Sequence, residues 1–385
     1  MLKKVLLILS VSLFVGCEEL ESDQKKITTS SPSLWDEIKT NSIPSLALTS
    51  EFNSPTRLAT IGTLAWEDGV YVSDDGLSIF SFYAPVDILK WVNYSIANPV
   101  CPAVSSFIRG SILTGTDLDL QPPFNNPWGC TEGLMHSDIA YATRTSTNES
   151  FSSWARHPLS SDFIYDGGFT ASSNGDETYD LVYSRSTDNN KNDIYWVRNS
   201  SLIPSSNTAT SISSTINTSD QQDNPHLERI NDNDLILLFD NHGVGDPDTQ
   251  ISFTISNDNG SSWNIPQVMS INAASATEDL QGHLYKDLSN DWWLFFSSNR
   301  GGAIEIYRSQ HVSNDVVNDF DNWGAPEKLL GGGIVAEGLG SIAGIGEPTL
   351  TANGDLYFVV VYCKTSEDQT DYDVCDIDPW VATKK

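Results

Sequence analysis

The amino-acid sequence predicts an all-β protein: a β-propeller of four-stranded antiparallel blades, five in number, with six as the alternative. Three observations carry this. The first is repetition: five segments share one order of parts, spaced about 57 residues apart, and self-similarity at a fixed period marks a repeat architecture. The second is composition, since 26 Gly and 17 Pro against only 3 Met in 385 residues is a turn-rich balance. The third is patterning. Amphipathic helical periodicity is nearly absent, whereas runs such as 235–239 are apolar throughout, as strands buried on both faces are. Short sheets stacked around an axis bury both faces and leave only short edges.

Each repeat opens with an acid and a short apolar strand, near Asp68, Asp166, Asp223, Asp279 and Glu347. Strongly apolar second strands follow at 77–83, 179–184, 235–239, 292–296 and 356–362. Asp75-Gly76 and Asn353-Gly354 sit between first and second strands, where a hairpin needs residues tolerant of positive φ. Third strands start near Ile139, Ile194, Ile251, Ile304 and Tyr372. Trp154, Trp263 and Trp323, each followed closely by a Pro, close their segments. The stretch at 50–66 is a candidate for the strand that closes the ring. An insertion at about 85–135 leaves room for a sixth blade. The propeller domain is expected over 51–385.

With 51 acidic residues against 21 basic ones the formal net charge is −30. That excludes non-specific binding of DNA or RNA, which needs clustered Lys and Arg. It equally excludes adhesion to anionic lipid through a basic patch. A hydrophobic fraction of 39%, with 11 Trp, supports a real core rather than a disordered chain.

At the N-terminus Lys3 and Lys4 precede an apolar run at 5–15, too short to span a bilayer but suited to a signal-peptide core. The run ends in Leu13-Phe14-Val15-Gly16-Cys17, which resembles the lipobox of bacterial lipoproteins, Phe14 departing from the more usual Leu. The resemblance implies that residues 1–16 are a signal peptide and that Cys17 is diacylated. Residues 17–50, rich in Ser, Thr and charge, then read as a lipidated tether with one helical turn at 33–38. Glu18 points to the outer membrane within the cell envelope, and no later run of 18 apolar residues is available to cross a bilayer. An ordinary secretory signal is the alternative.

Four further cysteines, an even number, suit an oxidising compartment. Of the three connectivities, Cys101 with Cys130 and Cys363 with Cys375 is preferred, because each pair closes a local loop.

Two family resemblances follow the repeats. Residues 296–308, Phe-Ser-Ser-Asn-Arg-Gly-Gly-Ala-Ile-Glu-Ile-Tyr-Arg, look like the TolB-type propeller repeat, and Gly346-Glu347-Pro348 begins a copy of its first half. Ser256-Asn257-Asp258-Asn259-Gly260-Ser261-Ser262-Trp263 resembles the Asp-box of sialidase-like propellers. That box implies structural roles for Ser256, Asp258, Gly260 and Trp263 at the blade periphery, away from any active site. The early Arg-Ile-Pro motif of sialidases is absent.

Opening strands of a propeller line its channel, so Asp68, Asp166, Asp223, Asp279 and Glu347 are expected as a carboxylate ring at one mouth. Two such groups, one protonated and one ionised, are what glycoside hydrolysis requires. The competing reading is that each acid caps backbone N–H groups at a blade seam. His226 and His283 follow Asp223 and Asp279 at similar spacing, as a candidate ligand-binding or hydrogen-bonded pair. Trp66, Tyr165 and Tyr285 are candidate stacking platforms for a sugar. No metal site is assigned; calcium is a minor candidate at the acidic stretches 231–234, 246–248 and 371–373. Nucleophile elbows, phosphate loops and dinucleotide fingerprints are absent. The sequence thus favours a monomeric, lipid-anchored envelope propeller that binds a protein partner or glycan through its channel face. Its alternative is a glycoside hydrolase using two channel carboxylates.

Overall fold

A computed structural model describes residues 32–385 apart from 86–87, 89–108, 116–136, 162–164, 187–190, 243–248, 274–276, 335–339 and 365–374. The signal peptide, Cys17, Cys101, Cys130 and the acidic stretches 246–248 and 371–373 lie outside the described residues. Among the described residues no helix is long and apolar enough to cross a membrane.

The chain enters through helix α1 (Pro32–Asn41), strand β1 (Ile43–Leu46) and the two-residue strand β2 (Thr56–Arg57). Blade one is β3 (Trp66–Val72), β4 (Ser78–Ala84), β5 (Asp138–Thr143) and β6 (Ala155–Arg156). Blade two is β7 (Tyr165–Ser173), β8 (Tyr179–Ser186), β9 (Asn192–Ser200) and β10 (Thr210–Ser211). Blade three is β11 (Gln221–Arg229), β12 (Leu235–His242), β13 (Gln250–Ser256) and β14 (Gln267–Val268). Blade four is β15 (Asp279–Lys286), β16 (Trp292–Ser298), β17 (Glu305–Gln310) and β18 (Glu327–Ile334). Blade five takes β19 (Ser341–Leu350), β20 (Leu356–Cys363) and β21 (Cys375–Ala382) from the C-terminus. Its fourth strand is β2, which pairs antiparallel with β21 through Thr56↔Val381 and Arg57↔Trp380. The ring is therefore closed by the N-terminal stretch, as the sequence suggests, and the described residues form five blades. A single parallel pairing, Ile377↔Trp66, joins blades five and one.

The all-apolar second strands have a simple cause. Leu235 and Leu237 of β12 pack with Val182, Ile194 and Trp196 of blade two, whereas Ile236 and Leu238 pack with Leu284, Leu294 and Phe296 of blade four. Each sheet is thus core on both faces. The seam between blades four and five is filled by Phe295, Ile306, Leu329, Ile345, Phe358 and Val360, and into it α1 inserts Trp35 and Ile38.

That insertion corrects the tether. Residues 32–46 belong to the folded body: Trp35 and Ile38 are fully buried, and β1 adds a fifth strand to blade four through Ile43↔Ile334 and Leu46↔Leu330. The expected single helical turn is a ten-residue helix. The buried ammonium of Lys39 anchors it to β21, 2.5 Å from Asp376 and 2.9 Å from Asp378. Arg57 reaches the same Asp378 and Arg109 the same Asp376. Composition alone hid this, because two apolar residues in a Ser/Thr-rich stretch read as isolated.

Cys363 and Cys375 form the expected disulfide. Of the 85–135 insertion, residues 85, 88 and 109–115 are described, and the last segment is tied down at two points while its other residues are largely exposed: Leu113 is buried against blade one, and Tyr83 donates to Ser111 O at 2.5 Å. The Asp-box is a turn between β13 and β14. Asp258 Oδ1 accepts from Ser256 Oγ and Ser262 N, Gly260 has φ +77°, and Trp263 packs edge-on against Trp196 of blade two. Asn231 at the tip of the β11–β12 hairpin closes its own turn by accepting from Asn233 N and Asp234 N.

Candidate functional site

All five inner strands carry a β-bulge at the same level. The register slips between Asp68 and Tyr71, Gly167 and Thr170, Asp223 and His226, Leu280 and His283, and Gly346 and Thr349. At each slip one residue has positive φ: Gly69 (58°), Gly168 (56°), Asn224 (45°), Gln281 (59°) and Glu347 (59°). Bulges re-aim side chains and commonly sit beside functional sites. Glycine adopts this backbone freely, but a larger side chain pays roughly 1–2 kcal/mol there. Three blades accept that strain, and their three bulge side chains converge on one cleft.

A narrow cleft of about 30 Å³, open to solvent on one side, lies at the centre of the ring. It draws lining residues from every inner strand, among them Thr170, His226, Gln281, His283, Glu347 and Thr349. Beside it the carboxyl groups of Asp68 and Glu347, both buried, lie close enough to shift each other's ionisation. Asp68 also accepts from Trp66 Nε1 at 3.2 Å and Gly69 N at 3.1 Å, which favours its ionised form. Glu347 accepts from Gln281 Nε2 at Oε1, and its own backbone N–H is held by Gln281 Oε1 and Ser297 Oγ. Burial, then the charges of Asp68, Asp240 and Asp223, push the Glu347 carboxyl well above the usual range. Burial also raises Asp68, against its donors. One proton shared by two adjacent carboxyls is the expected state, with Glu347 holding it.

Asp223 is the third acid. It accepts from Tyr165 Oη at 3.1 Å, Asn192 Nδ2 at 2.8 Å and Asn224 N at 2.9 Å. Asp240 of β12 lies behind it, its two oxygens taken by Asn224 Nδ2 and Gln281 N.

The predicted ring of five equivalent acids is corrected by the bulge register. Asp68 and Asp223 stand immediately before their bulges and Glu347 stands on one, so these three share the channel. Asp166 and Asp279 lie one position earlier, and side chains alternate faces along a strand. They turn into the blades: Asp166 pairs with Arg185 and Asp279 with Arg300, each at 2.6 Å, and they accept Ser161 N and Ala273 N. The capping reading describes those two.

The stacking candidates also divide. Trp66 is 2% exposed and serves as a donor to Asp68, so it offers no face to a sugar. Tyr165 is partly buried against Phe82 and committed to Asp223. Tyr285 lies near the far end of β15, opposite Trp293 rather than at the mouth, because an eight-residue strand extends about 25 Å. His226 and His283 do meet, with ring centroids 4.3 Å apart, on the far side of the bulges from Asp223 and Asp279. Burial lowers His226 to about 3 and carries His283 well below its usual value, so both are neutral imidazoles. His283 Nε2 accepts from Leu350 N at 3.2 Å. Neither ring nitrogen of His226, nor Thr349 Oγ1, has a hydrogen-bond partner, although His226 Nε2 lies 3.8 Å from Glu228 Oε2; both residues line the cleft. Among the described residues no group of three His, Cys, Asp or Glu is arranged to hold a metal.

Asn192, Asp240 and Gln281 are site residues that the sequence reading missed. Gln281 and Asn224 were detectable in principle, by aligning the repeats on Glu347-Pro348 and Asn224-Pro225 rather than on the preceding acids. Asp240 and Asn192 carry no repeat signal.

No family model matches the chain, and no curated protein matches it. The lipobox and TolB-type resemblances therefore rest on the residues that carry them. Solved structures do match. The catalytic domain of the Coprinopsis cinerea GH62 alpha-L-arabinofuranosidase superposes with a TM-score of 0.51 at 10% identity, covering 90% of this chain and 98% of that one. A thermostable family-43 glycoside hydrolase gives 0.46 at 10% identity, over 86% and 92% of the two chains. Zg3597, a family 117 glycoside hydrolase of Zobellia galactanivorans, gives 0.43 at 11% identity, over 86% and 90%. At such identities the likeness concerns the fold: this chain has the five-bladed propeller fold also found among glycoside hydrolases.

Proposed function

We propose that the protein is a glycoside hydrolase whose channel carboxyls cleave a glycosidic bond. The observation that carries this is the buried Asp68–Glu347 pair, two carboxyls close enough to couple beside the central cleft, with Asp223 at hand. Glycoside hydrolysis needs one carboxyl protonated and another ionised at the same pH. In this reading Glu347 protonates the leaving oxygen. Asp68, whose donors favour its anion, takes the proton of the attacking water or attacks the anomeric carbon itself. Asp223, fixed by three donors, stabilises the positive charge that develops on the sugar ring. Binding a sugar parts the resting Asp68–Glu347 pair.

The same proposal retains the envelope address. Lys3, Lys4, the apolar run at 5–15 and Cys17 support export and lipidation of the mature chain.

The test is hydrolysis of a panel of aryl pentosides, aryl hexosides and plant and algal polysaccharides by the full mature chain, with the product anomer read by NMR. Turnover of one sugar class that falls 10²- to 10⁴-fold in both Glu347→Gln and Asp68→Asn supports the reading. Binding of a glycan without hydrolysis would instead leave the channel-face binding role that the sequence favours. Turnover unaffected by both substitutions would sink the assignment of residues.

A further inference from the structure

Resting on that reading, we infer that Gln281 is a positioning residue: its side-chain amide makes Oε1 of Glu347 an acceptor and so keeps the transferable proton on the other carboxyl oxygen. The assignment follows from what the amide must face. A backbone N–H can only donate, so the Gln281 atom 3.2 Å from Glu347 N is Oε1. The remaining atom, Nε2, therefore points at Glu347 Oε1 as a donor. One amide thus brackets one residue, gripping its backbone and one carboxyl oxygen together. With Oε1 taken, the proton resides on the second oxygen, and the acid has one defined orientation.

Gln281 is itself held. Its backbone N–H donates to Asp240 Oδ1 at 2.8 Å, and Asp240 Oδ2 accepts from Asn224 Nδ2 at 2.9 Å. The bulge residues of blades three, four and five are thereby chained, Asn224 to Asp240 to Gln281 to Glu347. All three bulge residues lie at positive φ between 45° and 59°. Packing reinforces the grip: a Cβ at position 346 would come within 3.0 Å of both Gln281 Oε1 and Ser297 Oγ, so Gly346 lets the amide approach. Backbone strain accepted at three adjacent blades, with the chain of bonds crossing two seams at Asp240–Gln281 and Gln281–Glu347, is what pre-organisation of an acid requires.

The experiment uses the full mature chain and two variants. Gln281→Asn keeps a residue at ease with positive φ while withdrawing the amide from reach, and Gln281→Met keeps volume while removing both bonds. Two aryl glycosides of the same sugar are compared, one with a 2,4-dinitrophenyl leaving group that departs without protonation, one with phenyl, which needs the acid. Alongside, carbodiimide labelling of Glu347 across pH, read by mass spectrometry, follows its ionisation whether or not the protein turns over. The expected result is a loss of 10- to 100-fold in kcat confined to the phenyl glycoside. The Glu347 titration should move upward by about one unit in both variants, because a donor to the carboxylate is gone. Equal slowing of both glycosides, or an unmoved Glu347 titration, would overturn the inference. A wild type silent on every glycoside with a shifted titration would overturn the hydrolase reading and leave the placement of the proton standing.

Discussion

Lys39 and Asp376 meet at 2.5 Å with side chains 1% and 0% exposed, so the only helix of the described residues is pinned to the last strand of the ring by a charge pair sealed from water. Burial opposes the Lys39 charge, yet Asp378 and Asp376 raise its pKa overall. Breaking a buried pair by removing one partner costs about 3–5 kcal/mol when the other charge is left uncompensated, and here Arg109 and Arg57 still face the two aspartates, which sets the lower end of that range as the expectation. Lys39→Ala should destabilise by that order in chemical denaturation. Lys39→Ala with Asp376→Asn should recover part of the loss. A cost below about 1 kcal/mol for the single variant would refute the pin.

The ring has a second clasp nearer the surface. Glu51 accepts from Arg308 and Lys384, and the Arg308 hydrogen bond is the chief cause that holds its carboxyl down at about 2, against the partial burial that raises it. A carboxyl with a depressed folded value adds stability above its unfolded value near 4.5, and that stability is lost as pH falls toward 2. The pH dependence of the denaturation midpoint should therefore steepen between about 4.5 and 2, and Glu51→Gln should flatten it there. Identical curves for both proteins would remove Glu51 from the account.

Glu347 works in the opposite sense. Its raised folded pKa means that its contribution is fully present below the unfolded value and is lost as pH rises. Glu347→Gln should raise the free energy of unfolding by about 1 kcal/mol or more at pH 8 and by little at pH 4, as removing a penalised charge does. An equal change at both pH values would argue that the carboxyl is not buried as described. Loss of activity together with gain of stability is the expected mark of an active-site acid.

The Cys363–Cys375 bridge closes a span of 12 residues. Constraining a loop of that size in the unfolded chain is worth about 2–3 kcal/mol. Cys363→Ser with Cys375→Ser should lower thermal stability accordingly, and a reductant should lower only the wild type.

Lipidation is checked directly. Mass spectrometry of the mature chain from its native host should find the N-terminus at Cys17 carrying acyl chains, and Cys17→Ser should release the protein from the membrane fraction. A mature N-terminus elsewhere would refute the lipobox reading.

The sequence by itself determined the propeller and the order of strands within its repeats and favoured five blades over six, because each blade must bury both faces of its inner and second strands and that leaves an apolar signature at a fixed period. It also carried the pairing of Cys363 with Cys375 and the closure of the ring near residue 56, both consequences of local loop size or chain order. Tertiary structure alone decided which acids share the channel. A one-residue difference in position relative to a bulge turns Asp166 and Asp279 into the blades toward Arg185 and Arg300, while Asp68, Asp223 and Glu347 face one another. It likewise decided that residues 32–46 belong to the core and that Gln281 of blade four grips Glu347 of blade five. Contacts across a seam join residues 66 positions apart in the chain, and no local pattern records them.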